Sequence, residues 1–122
     1  SRMIQDSLEK AGYTNLHMFA NGQELWDYIE PLAEEPANLE RHAALVITDI
    51  EMPSMDGHRL TKLIKSDPVL REIPVIIFSS LVTEEMRVKG KELGADEQLS
   101  KPEIGHLVDV MDGLLDKKKQ AR

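Results

Sequence analysis

Two apolar runs in this chain stop at side chains that can do chemistry. "AALVITD" (residues 43–49) ends at Asp49, and "IPVIIFSS" (residues 73–80) ends at Ser79 and Ser80. A third stretch, "DEQLSKP" (residues 96–102), delivers Ser100 and Lys101 directly before Pro102. Taken singly, each group has a plain reading. Asp49 reads as a cap, a metal ligand or a nucleophile, Ser79 as a hydroxyl satisfied near a turn, and Lys101 as a solvated cation. Brought to one edge, the carboxylate, hydroxyl and ammonium suit phosphoryl chemistry. A carboxylate can take a phosphoryl group as an aspartyl phosphate. An ammonium and a hydroxyl can then meet the charge spread over the phosphoryl oxygens. Such chemistry normally asks for a divalent cation, magnesium above all, held by hard oxygens. Asp49 offers one oxygen and the backbone carbonyl of Glu51 a second. No further carboxylate stands at a strand end, because the side chains of Glu51 and Asp56 read as loop groups.

For these groups to meet, the segments carrying them must be parallel neighbours. The alternation of segments predicts that arrangement. Ile4, Leu8 and Ala11 keep helical spacing in "SRMIQDSLEKAGY", and Gly12 ends that helix. "TNLHMFA" (14–20) alternates and predicts a short strand. "NGQELWDYIEPLAE" (21–34) predicts a helix, with Asn21 and Glu24 spaced as a capping box. "EEPANLERH" (34–42) reads as a polar surface loop. The run ending at Asp49 suits a strand covered on both faces. "GHRLTKLIKSD" (57–67) predicts a helix with Leu60, Leu63 and Ile64 inward, ending before Pro68. Residues 73–80 predict a second fully buried strand. Residues 83–95 predict a helix capped by Thr83, and 96–100 a short strand. The last helix is expected from Ile104, with a stripe of Leu107, Val108, Met111, Leu114 and Leu115. Lys117 to Lys119 suit its C-terminal end. The sum is an α/β fold with a parallel sheet, helices on both faces and reactive groups at the C-terminal strand ends.

Composition narrows the function. A chain of 122 residues fits one domain, and its net charge of -7 argues against a nucleic-acid surface. There is no cysteine, which removes disulfide and thiol chemistry and agrees with a cytoplasmic setting. No apolar stretch is long enough to insert into a membrane, and no signal peptide is visible.

The segments "VITDIEMPSMDG", "IPVIIFSS" and "LGADEQLSKP", with the amphipathic last helix, resemble the receiver domain of two-component response regulators across essentially the whole chain. The resemblance implies a flavodoxin-like doubly wound parallel sheet of strand order 2-1-3-4-5. It implies Asp49 as phosphoacceptor, Ser79 as the hydroxyl that follows the phosphoryl group, and Lys101 as its cation, before a cis-prone bond to Pro102. It also implies magnesium held in part by Asp49 and the Glu51 carbonyl. "FSS" with "ADEQLSKPEI" is similar, more narrowly, to the receiver of a chemotaxis coupling protein of the CheV type. Receivers often carry an aromatic switch residue where this chain has Gln98, so a switch here is expected to use the hydroxyl and loop alone.

Family members begin with an apolar strand ending in two metal-holding acids. This chain begins at the first helix, so residues 1–122 read as a single receiver-like domain lacking its first strand, with magnesium binding weak or absent. The missing strand belongs to a piece of chain ahead of Ser1, or comes from a neighbour by a strand swap, or its flanking strands close up. The expected role is a signalling switch and not an enzyme. A histidine kinase or its phosphotransfer domain would load Asp49, and a downstream protein would read the face from the helix at 83–93 to the helix at 104–116. The alternative is a receiver-like interaction module that docks without phosphorylation. A phosphatase using Asp49 would need a second acid and a cap over its substrate, and neither is evident.

Overall fold

The strand over Val75–Ser79 is buried at every position, because it lies in the middle of the sheet and is covered on both sides. In the computed structural model, which describes residues 2–13, 15–50, 55–80 and 82–120, three strands pair in parallel. They are β1 (Val46–Asp49), β2 (Val75–Ser79) and β3 (Glu97–Ser100), in the order β1-β2-β3. Among the described residues six α-helices accompany them: α1 (Arg2–Lys10), α2 (Gly22–Ile29), α3 (Leu39–His42), α4 (Gly57–Ser66), α5 (Glu84–Leu93) and α6 (Leu107–Gln120). Alternation along β2 divides the core. Val75 and Ile77 join Ile29, Leu60 and Ile64 on one face, while Ile76 and Phe78 join Leu8, Leu107 and Met111 on the other. Each such side chain contributes about 1.5–3 kcal/mol when fully buried.

Caps place the helix ends. Asn21 accepts from the Glu24 amide at 2.9 Å, Asp56 from the Arg59 amide at 2.8 Å, and Thr83 from the Met86 amide at 3.1 Å. Gly94, at φ +97°, closes α5.

The structure corrects several expectations. Residues 15–20, expected as most of a strand, are in no strand, and Thr14 lies outside the described residues. A strand needs a ladder partner, and none of the described strands pairs with this segment. For the same reason three strands are described instead of the family's five. The strand ending at Asp49 is not covered on both faces. Among the described residues it is the edge strand of the sheet, with Val46 and Thr48 buried and Ile47 and Asp49 half-buried. A cavity of about 280 Å³ lies along it, lined by Ile4 and Leu8 of α1, by Leu16 and Phe19, and by Leu45 and Ile47, and it reaches Asp49 and Lys101. The expected loop at 34–42 holds a short 3-10 turn and α3, because Leu39 is drawn into the core. The last α-helix begins at Leu107 and not at Ile104. The preceding 3-10 turn, Lys101–His106, carries Pro102 in its first turn, a position that costs no hydrogen bond, and the Lys101–Pro102 bond is trans.

Candidate functional site

Register brings the three strand ends together. Asp49 pairs with Phe78 across β1 and β2, and Ser79 pairs with Ser100 across β2 and β3. Asp49, Ser79 and Lys101 therefore stand at one edge, each one residue further along in register than the one before. The Lys101 Nζ lies 3.5 Å from the Asp49 Oδ2. Both side chains keep about a third of their surface exposed, so a small donor can reach them. Ser79 is buried, with 1% of its surface exposed.

The backbone under Asp49 is clamped from the start of α4. The Gly57 amide donates to the Ile50 carbonyl at 3.3 Å. A Cβ at Gly57 would fall 2.5 Å from the Asp49 carbonyl oxygen, so only glycine permits this approach. The Thr61 hydroxyl donates back to the Gly57 carbonyl at 2.7 Å, and the Thr48 hydroxyl donates to the Asp49 carbonyl at 3.2 Å. The sequence carried one signal for this clamp, a glycine just after the Asp56 cap, but nothing in spacing linked it to Asp49.

On the far side, the turn after Lys101 is tied down by Glu103. Its carboxylate accepts from the Ser100 amide at 3.0 Å and from the Ser100 hydroxyl at 2.8 Å. Those hydrogen bonds hold the Glu103 carboxyl below its usual pKa, aided by Arg87 and His106 and opposed by a small loss of solvent.

The proposed metal ligands do not make a site by themselves. Glu51 lies outside the described residues. Among the described residues no group of three or more His, Cys, Asp or Glu side chains comes together. Asp49 offers a single carboxylate, and the Lys101 ammonium already competes for it. What the described residues provide does not by itself fit magnesium, which asks for several hard oxygens.

Sequence reasoning also passed over His58, on the first turn of α4. Its side chain is buried, and Nε2 has no hydrogen-bond partner. Burial lowers its pKa from 6.5, the Lys89 ammonium on α5 adds to that, and Asp56 partly opposes it. The unfolded chain therefore binds this proton more readily than the folded one, and stability falls as pH drops through the ordinary imidazole range. The urea midpoint should be lower at about pH 5.5 than at about pH 7.5. His58→Gln should flatten that difference; an unchanged slope would assign it to another group.

Comparisons with known proteins show the family. The family model described as "Response regulator receiver domain" matches residues 1–112. The response regulator Rre1 of Synechocystis is 33% identical over 100 residues, covering 81% of this chain and 39% of that protein. The chemotaxis protein CheV3 of Helicobacter pylori is 28% identical over 117 residues, covering 95% of this chain and 37% of that protein. The chain thus spans well under half the length of these curated relatives. Among solved structures, the signal receiver domain of a signal transduction histidine kinase from Syntrophus aciditrophicus superposes with a TM-score of 0.73 at 32% identity. That match covers 95% of this chain and 81% of the other. Among the described residues no helix is long and apolar enough to cross a membrane.

Proposed function

Since the chain belongs to the response regulator receiver domain family, and is a signalling module and not an enzyme, we propose that Asp49 is its phosphoryl acceptor. The observation that carries this reading is the Asp49–Lys101 ion pair at the strand ends. A carboxylate oxygen of Asp49 attacks the phosphorus of a donor, either a phosphohistidine or a small acyl phosphate. The new O–P bond forms as the bond from phosphorus to the donor breaks, and the leaving group keeps that electron pair. Lys101 then faces the phosphoryl oxygens, which carry more charge than the carboxylate did. Ser79, one residue further along the edge, is the hydroxyl placed to turn toward them. A histidine kinase or phosphotransfer domain is the donor this chemistry calls for. The face of α5, β3 and α6 is where a partner would read the change. A chemotaxis role rests on the likeness to the CheV proteins.

A second reading is docking that needs no phosphorylation, and the observations stand closer to it. They support the receiver body and its faces, whereas the transfer step rests on one ion pair, with no metal-holding cluster among the described residues. Gln98, at the position where receivers often carry an aromatic residue, is moreover bonded into α5. Exposure to acetyl phosphate with magnesium, followed by intact mass, separates the two. One phosphoryl group added to the chain supports the acceptor reading, and an unchanged mass supports docking alone.

A further inference from the structure

His58 stands in the first turn of α4, directly after Gly57, whose close approach grips the Asp49 carbonyl. The side of α4 that carries it faces α5. Thr61 and Lys65, one and two turns further on, share that side. Thr61 is fully buried, and a Cβ at Gly94, which closes α5, would fall 3.1 Å from the Lys65 Cγ. α4 and α5 pack against each other along this seam. His58 is 8% exposed, and its Nε2 is buried with no hydrogen-bond partner. Two charges act on the imidazole. The Lys89 ammonium of α5 disfavours its protonation, and Asp56, ahead of α4, partly opposes that. α2, β2 and the turn at Leu70–Glu72 also pack on α4, and among the described residues none of them brings a charge that acts on the ring. A proton on Nε2 therefore adds a buried donor without an acceptor, and sets one cation against another.

We propose that His58 is a proton sensor coupled to the Asp49 edge through the first turn of α4. With the ring neutral, the turn is seated and Gly57 grips the backbone of Asp49. When Nε2 takes a proton from solvent, the ring swings out to water and displaces the turn that carries it. The Gly57 amide then releases the Ile50 carbonyl. α5 stays on α4 through the Thr61 and Lys65 end of the seam. The opening is confined to this turn, which separates it from a general loss of stability in acid. It stands whether or not Asp49 accepts a phosphoryl group, because its signal is the Gly57 amide.

Amide hydrogen exchange on the full chain tests it, read as the protection of the Gly57 amide relative to an unstructured one. Between about pH 7.5 and about pH 5.5, protection should fall several-fold. The limit is about tenfold, set by lying one unit below the ordinary imidazole value. Opening one turn exposes little surface, so the fall should be insensitive to low urea, while exchange in β2 speeds up with urea. In His58→Gln the fall should vanish. In Lys89→Gln it should shrink, because the folded seam then takes the proton more readily. Lys89 is exposed, so that variant serves should His58→Gln not fold. A change in Gly57 protection under about twofold, an equal fall in His58→Gln, an unaltered fall in Lys89→Gln, or a urea dependence matching that of β2 would each overturn the sensor.

Discussion

Asp49→Ala is expected to abolish phosphoryl uptake while leaving the chain folded. Uptake in the parent chain means an acyl phosphate formed on a carboxylate, and Asp49 is the carboxylate held beside a cation at the strand ends. Folding is expected to survive for two reasons. The ion pair is about one-third exposed, so Lys101 returns to water at a cost below about 1 kcal/mol. The clamp from Gly57 and Thr48 grips the carbonyl of residue 49, which alanine retains. Lys101→Ala should slow uptake and blunt any response, because the added charge then has no fixed cation to face. Ser79→Ala should leave uptake largely intact and weaken the response alone. The measurement is intact mass after acetyl phosphate and magnesium, with circular dichroism to confirm folding. An adduct that persists in Asp49→Ala places the acceptor elsewhere.

The second large effect lies far from that edge. Lys65, with 14% of its side chain exposed, donates to the Arg71 carbonyl at 3.1 Å and to the Ile73 carbonyl at 2.8 Å. It also pairs with the Asp96 Oδ2 at 2.9 Å, and that same oxygen accepts from the Val75 amide at 2.8 Å. One ammonium thus ties the end of α4, the turn before β2 and the approach to β3. Lys65→Ala strands two carbonyls and removes the counter-ion of a half-buried carboxylate. The expected loss is about 2–3 kcal/mol in chemical denaturation, short of the cost for a fully buried pair because Asp96 can still reach water. Asp96→Asn should cost about 1 kcal/mol, since an amide oxygen can still receive the Val75 N–H. The double variant should cost less than the sum of the two. A Lys65→Ala protein within about 0.5 kcal/mol of the parent would mean these bonds merely replace water.

What the sequence disclosed and what it hid divide along the range of the interaction. β2 was legible because a continuous β-branched run needs no partner to declare itself buried. Asn21 and Thr83 were legible because a cap acts three residues away. The edge holding Asp49, Ser79 and Lys101 was legible because strand ends follow from strand order. Residues 15–20 misled because alternation records a preference, whereas strand formation depends on a neighbour far along the chain. Ile47 misled likewise: its apolar character is that of a covered strand, yet it faces a cavity. The Lys65 network and the Gln98 amide could not be read at all. Each joins polar groups whose types give no sign of burial, across distances set only by how helices seat on the sheet.

The open side of β1 also governs how the molecule behaves in solution. Among the described residues β1 has a strand neighbour on one side alone and an apolar cavity along the other, and a strand edge so placed is a template for another chain. A net charge of -7 keeps copies apart only while their fields reach one another. At about 0.1 M salt that reach shrinks to roughly 10 Å, and the repulsion no longer shields the edge. Salt therefore acts against solubility here, so dilute buffer keeps copies apart better than the high ionic strength commonly used to suppress unwanted association.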